Sequence, residues 1–191
     1  MIWRALLLAI VIIGCGPSVK DDGRLDAVMV VMCADPDPEE PHIPCCTGFV
    51  LEGQVVTANH CVPDDTAELV THRQWVDTSN ASEIGTVLAR DTARDIAWLS
   101  AALDGPELVR GAAVAEGDAV SALTRSAVQS GIAGPLSGIF WQSTMNTQLG
   151  DSGAAIVDRA GHAVGVLTDC LTPFDAPQAC RPNTAIFSEL P

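Results

Sequence analysis

Short β-rich runs decide what this chain can become. Segments 27–33, 48–51, 54–58, 68–71, 83–89, 96–100, 119–125, 127–132, 139–145, 154–157, 163–168 and 185–188 are apolar or alternating, with turn-forming residues between them. None sustains the 3.6-residue period of an amphipathic helix. Strands at this spacing predict an all-β fold, a sandwich or barrels. Glu52-Gly53 reads as the tip of a hairpin joining 48–51 to 54–58. Segment 35–44 sets Pro36, Pro38, Pro41 and Pro44 among acidic residues and reads as a surface loop. The strand pattern breaks at Asp104-Gly105-Pro106, so 104–117 is the expected boundary between two halves. The sequence shows no internal repeat, low-complexity tract or coiled-coil heptad.

The first 14 residues stand apart from that pattern. They begin MIWRALLLAIVIIG, with Arg4 followed by an apolar run from Ala5 to Ile13. Such a run suits the centre of a signal peptide, and it falls short of the ~20 residues that a spanning helix needs. Ile12-Ile13-Gly14-Cys15 resembles the bacterial lipobox, which implies cleavage before Cys15 and lipid attachment to it. The same resemblance implies that Gly16, rather than Asp, permits transport to an outer membrane. A plain secretory signal is the alternative. The expected organisation is a leader at 1–14, an anchor and linker at 15–26, and a folded domain at 27–191.

Composition narrows the function. The 191 residues carry 10 Lys and Arg against 24 Asp and Glu, a net charge of −14 with a single lysine, Lys20. Nucleic-acid backbones are bound by clustered cations, so nucleic acid is excluded as an expected partner. A hydrophobic content of 48% with 18% charged residues indicates a folded domain rather than a disordered chain. With Cys15 assigned to the anchor, Cys33, Cys45, Cys46, Cys61, Cys170 and Cys180 remain, an even set that favours disulfides in a secreted protein. Zinc is the rival reading. Adjacent residues such as Cys45-Cys46 and His60-Cys61 suit chelation poorly, and no metal is expected.

Three segments carry chemistry, in this order: Thr57-Ala58-Asn59-His60-Cys61, Arg94-Asp95-Ile96-Ala97-Trp98-Leu99 and Gly150-Asp151-Ser152-Gly153-Ala154-Ala155. A serine hydroxyl attacks poorly unless a neighbouring base takes its proton, and a carboxylate can hold that base in the useful tautomer. Together the segments resemble the trypsin/chymotrypsin family of serine peptidases, whose triad runs His, Asp, Ser. Gln142-Ser143, ten and nine residues before Ser152, resembles the Gln-Thr of bacterial members. Gly117-Asp118-Ala119-Val120 and Ser130-Gly131-Ile132 fall where those members open their second barrel.

The resemblance implies two antiparallel six-stranded β-barrels, about 27–103 and about 118–191, with the active site in the crevice between them. It implies a serine endopeptidase working through an acyl-enzyme, with His60 as base, Asp95 as its orienter and Ser152 as nucleophile. The amides of Gly150 and Ser152 would form the oxyanion hole. Thr168 falls where the family places a hydroxyl that bonds the aspartate, although a strand threonine is equally a good β former. Asn146, six residues before Ser152, falls at the base of the specificity pocket, beside Thr147. It lacks the charge that cleavage after Arg or Lys requires. Asp169 either supplies a carboxylate from the neighbouring wall or is an exposed turn residue. Cys45, 16 residues before Cys61, corresponds to the family's brace of the histidine loop, which leaves Cys33 for Cys46 and Cys170 for Cys180.

Departures from the family pattern matter as well. No Ile-Val-Gly-Gly-like segment follows the leader, so Asp151 needs another partner, and Arg125 is the expected one. Gln148 replaces the usual cysteine four residues before the serine. The 57 residues between Asp95 and Ser152 imply trimmed cleft loops, and the chain ends without a C-terminal helix or an appended peptide-binding domain. The expected protein is a monomeric, lipid-anchored, extracytoplasmic peptidase acting on peptides or proteins without a cofactor, with the outer membrane favoured. Two alternatives stay open: a catalytically silent binding module on the same fold, and an esterase using the same triad.

Overall fold

Glu52 and Gly53 both take positive φ, 53° and 74°. This mirror-image two-residue turn matches strand twist, and it sets Leu51 opposite Gln54 as expected. The computed structural model describes residues 23–33, 43–71, 82–100, 106–171 and 179–191. Residues 1–14, Cys15, most of the proline-rich segment and the start of the interbarrel boundary lie outside that set.

The strands close into two antiparallel barrels of six. The first contains β1 (Val28–Cys33), β2 (Ile43–Leu51), β3 (Gln54–Ala58), β4 (Thr66–Thr71), β5 (Glu83–Asp91) and β6 (Ile96–Ser100), in the order β1-β2-β3-β6-β5-β4. The second contains β7 (Ala119–Leu123), β8 (Val128–Ser137), β9 (Phe140–Ser143), β10 (Ala155–Val157), β11 (Ala163–Cys170) and β12 (Ala185–Glu189), in the order β10-β11-β12-β9-β8-β7. Between them the connection hugs both barrels. Leu108 N–H donates to Val50 at 2.9 Å, and Gly111 N–H donates to Ala163 at 2.7 Å. No helix among the described residues is long and apolar enough to cross a membrane.

Burial falls into three layers. Met29, Val31, Val55, Leu69 and Leu99 fill the first barrel. Val120, Trp141, Met145, Ile156, Leu167 and Phe187 fill the second, where Trp141 stacks on Phe187 with ring centroids 6.4 Å apart. A third core joins them: Val28, Phe49, Leu51, Val56 and Ile96 from one barrel meet Leu123, Ala155, Val157 and Val166 from the other. Strands at this seam are covered on both faces, which is why β1 opens with four buried residues in a row instead of alternating. Closure also leaves neither sheet an open edge.

Two strands run further than their apolar patterns suggest. β2 begins at Ile43, so Pro44 lies in a strand rather than in the preceding loop. β8 continues to Ser137 through an irregularity between Ala133 and Leu136 that contains Pro135, the kind of position where a sheet tolerates proline.

The disulfides correct one expectation. Cys46, not Cys45, joins Cys61, and Cys45 joins Cys33, with Cα separations of 6.1 and 5.7 Å. The reason is a bulge in which Val31 pairs with Cys46 and Met32 with Pro44, leaving Cys45 as the extra residue. Cys46 therefore sits buried in the first barrel's core beside Cys61, while Cys45 is half-buried. Cys170 joins Cys180 as expected. Non-reducing peptide mapping is expected to recover these three links, and a Cys45–Cys61 peptide would contradict the bulge. Closing 15 residues between Cys46 and Cys61 is expected to contribute about 3 kcal/mol, lost in the Cys46→Ser/Cys61→Ser variant and measurable by denaturant unfolding.

Candidate active site

β3 ends at Ala58, and the chain turns once through a 3-10 segment, Asn59–Cys61, which lifts His60 into the cleft. Cys61 is fastened below by its disulfide to β2. Arg90 of β5 fastens the other side. Its guanidinium donates to Asn59 Oδ1 at 2.8 Å, to the Val62 carbonyl at 2.6 Å and to the Asp64 carbonyl at 2.5 Å. A lone arginine at the end of a strand gives no local sign of this work, and the sequence reading missed it.

Asp95 follows a tight turn in which Asp91 accepts from the Arg94 backbone at 3.0 Å and from its guanidinium at 2.8 Å. Arg94 holds the Asp91 carboxyl below its usual range. Asp95 itself takes φ of 56°, a left-handed conformation that costs a non-glycine residue. Three bonds hold it there. Its Oδ1 accepts from the His60 backbone at 2.9 Å, its Oδ2 lies 2.6 Å from His60 Nδ1, and its carbonyl accepts from Asn59 at 3.0 Å. The bond to Asp95 raises the His60 pKa against the opposing effect of burial, and the charges of Asp95 and Asp169 add to the rise.

The serine loop belongs to the second barrel but is gripped by the first. Thr47 of β2 donates its N–H to the Ser152 carbonyl at 2.8 Å and its hydroxyl to the Gly150 carbonyl at 2.9 Å. Thr57 of β3 in turn donates to the Thr47 carbonyl at 2.6 Å. Gly153, at φ of 87°, lies so close that a Cβ there would overlap the Thr47 carbonyl and the Thr57 hydroxyl. The amides of Gly150 and Ser152 make no hydrogen bond among the described residues, which leaves both able to donate to an oxyanion.

Several expected partners are placed differently. Asp151 is buried, and its Oδ2 accepts from Gln148 N–H at 2.9 Å while Oδ1 has no partner. Arg125 forms no ion pair with it. The guanidinium lies against Gly150 and donates to the Pro44 carbonyl at 2.8 Å, so it acts on Asp151 only through space. The Ser152 hydroxyl donates to the Thr168 carbonyl at 3.4 Å rather than to His60. The Thr168 hydroxyl donates to the Ile186 carbonyl at 3.3 Å rather than to Asp95.

Two cavities flank the end of β11. One of about 490 Å³ is lined by His60, Asp95, Phe140, Thr168, Asp169 and Ile186. The other, about 20 Å³, lies beside Ser152 and is lined by Thr147, Gln148, Leu149, Leu167, Asp169, Cys170 and Cys180. Asn146 lines neither; it is exposed, and its Oδ1 accepts from Asn183 N–H at 2.9 Å. Among the described residues, Cys46, His60 and Cys61 bring potential metal-ligand atoms within 4.8 Å of one another. The two sulfurs are bonded to each other, so neither is a thiolate able to hold zinc.

Comparison with known proteins agrees with this architecture. Among solved structures, the HtrA-type protease AlgW with decapeptide has a TM-score of 0.69 at 18% identity, over 88% of this chain and 62% of that one. The serine endoprotease from Yersinia pestis has a TM-score of 0.65 at 19% identity, over 88% and 60%. The inactive form of the Rv3671c protease of M. tuberculosis has a TM-score of 0.63 at 19% identity, over 88% and 86%. The chain thus spans about three fifths of AlgW and of the Yersinia enzyme, and at these identities the likeness is one of fold. No curated protein matches the chain. The family described as a trypsin-like peptidase domain matches residues 46–166, most of both barrels, and the chain belongs to that family.

Proposed function

We propose that the chain is a serine endopeptidase. The observation that carries this reading is the His60–Asp95 pair at 2.6 Å, on the same barrel that grips the Ser152 loop through Thr47. His60 takes the proton of Ser152 as Oγ bonds to the peptide carbonyl carbon. The Gly150 and Ser152 amides receive the oxyanion, and each such donor contributes about 3 kcal/mol in the transition state. His60 then gives the proton to the departing nitrogen as the C–N bond breaks, leaving an acyl-Ser152 ester that water hydrolyses by the same relay. Asp95 holds the tautomer and stabilises the imidazolium without itself gaining a proton.

Substrate binding prepares the nucleophile. Beyond Leu167, which donates to Ala154 and accepts from Gly153, no backbone group pairs with the outer edge of β11 among the described residues, and the Thr168 carbonyl there accepts from the Ser152 hydroxyl. An extended peptide laid along that edge brings an N–H to the Thr168 carbonyl. It takes the acceptor that holds the Ser152 hydroxyl and frees the hydroxyl for His60. That resting bond is also what a catalytically silent binding module would show, so the two readings need a direct test.

The mature protein in this reading starts at Cys15, lipid-anchored outside the cytoplasm, with a linker to residue 26 and the peptidase domain at 27–191. Three disulfides support an oxidising compartment.

A fluorophosphonate probe is expected to label the oxidised protein at Ser152, and Ser152→Ala or His60→Ala is expected to abolish labelling. Folded protein that resists the probe would instead be the silent module. Since His60 must be neutral to act, its raised pKa places the rising limb of kcat/KM above the ordinary histidine value of 6.5. Asp95→Asn is expected to move that limb down and to lower kcat by about ten thousand-fold, read from a pH–rate profile. Asp151 offers a stability test. Burial raises its carboxyl pKa, with Gln148 N–H and Arg125 opposing. Its contribution to stability is therefore complete below the unfolded value of about 3.9 and is lost as pH rises through the folded one. Asp151→Asn is expected to raise the thermal midpoint at pH 7 relative to the native chain, with the gain disappearing near pH 3.

A further inference from the structure

Among the described residues, Asp169 is the one that both cavities of the cleft share. The small cavity beside Ser152, about 20 Å³, holds little more than one water-sized group. Its described lining admits a small side chain from the substrate residue that places its carbonyl on Ser152. Successive side chains of an extended peptide point to opposite sides. The neighbouring side chain consequently faces the other cavity, about 490 Å³, between His60 and Asp169.

The chemistry of that larger space is amphipathic. Phe140 and Ile186 give it half-buried apolar walls. The Asp95 carboxylate is occupied by His60. Asp169 is exposed, its Oδ1 accepts from Cys170 N–H at 2.7 Å, and no cation pairs with it among the described residues. Its remaining oxygen makes no hydrogen bond among the described residues, and its charge, which also acts on His60, can attract a ligand cation. A long methylene stem against Phe140 and Ile186 with a cationic head at Asp169 matches lysine or arginine, whose stems lie on apolar surface while the head reaches a carboxylate. The net charge of −14 adds long-range attraction for a cationic peptide.

Resting on the peptidase reading, we propose that Asp169 is a specificity-determining residue that selects a lysine or arginine side chain next to a small scissile residue. The test uses peptidyl diphenyl phosphonates that react at Ser152 and carry an alanine-like reacting unit preceded by Lys, norleucine or Glu. The Lys reagent is expected to inactivate the protein about fivefold faster than the norleucine reagent, as for a partly exposed charge pair, with the Glu reagent slowest. Asp169→Asn keeps an acceptor for Cys170 N–H. It is expected to bring the ratio of the Lys rate to the norleucine rate, both measured in that variant, to one, so that any change at His60 cancels, and Asp169→Lys is expected to favour the Glu reagent. Equal rates for the three reagents on the native chain, or an undiminished Lys preference in Asp169→Asn, would overturn the assignment. A native chain that no fluorophosphonate labels fails earlier, at the peptidase reading.

Discussion

Everything at the active site depends on how closely the backbone of Gly153 approaches β2 and β3. A side chain at that position would occupy the space of the Thr47 carbonyl and the Thr57 hydroxyl, so the serine loop docks there only because glycine stands after the serine. The docking is then locked by Thr47, whose N–H and hydroxyl hold the carbonyls of Ser152 and Gly150. The amides of Gly150 and Ser152 belong to the flanking peptide units and make no hydrogen bond among the described residues. The contact that joins the barrels thus also fixes the loop that would carry the oxyanion donors in the peptidase reading.

One dipeptide links both halves of the candidate site. Cys46 and Thr47 are neighbours on β2, and successive side chains of a strand face opposite ways. Cys46 enters the first barrel's core and holds the His60 loop through Cys61, while Thr47 holds the Ser152 loop across the seam. The bulge at Cys45 is what sets this phase. Without the extra residue, Cys46 and Thr47 would exchange faces, and both anchors would be lost together. Arg90 and the three bonds to Asp95 then restrict the histidine side of the cleft, so that a non-glycine residue is kept in a left-handed conformation.

The strands and the order of the three motifs were legible because each depends on local signals: β-rich runs, turn residues and short motif strings. Ile96–Ser100 and Gln54–Ala58 appear with the bounds their patterns suggest. What the sequence hid is non-local. The early start of β2 is masked by Pro44 and two cysteines, none of which advertises a strand. The bulge that reverses the roles of Cys45 and Cys46 arises from pairing with β1, which no window along the chain contains. Arg90 reaches residues 26 to 31 positions earlier, and Thr47 reaches Gly150 across 103. Arg125 was expected to pair with Asp151, but its guanidinium donates to the carbonyl of Pro44 instead. That bond follows from β2 extending further than its apolar pattern indicates.

In the peptidase reading, Thr168 ties the resting state of Ser152 to the state of the cleft. The pairing of β11 with β12 slips between Leu167 and Asp169, so Thr168 stands outside the regular ladder. Its hydroxyl turns to Ile186, and its carbonyl turns toward Ser152. At 3.4 Å the serine's bond is long and weak for a hydroxyl donor, so an incoming amide loses little in displacing it. The binding contact and the release of the hydroxyl then share one carbonyl oxygen. A peptide that pairs with β11 brings the required N–H. In the peptidase reading, the irregular end of a strand therefore makes the nucleophile available chiefly when an extended backbone is in place.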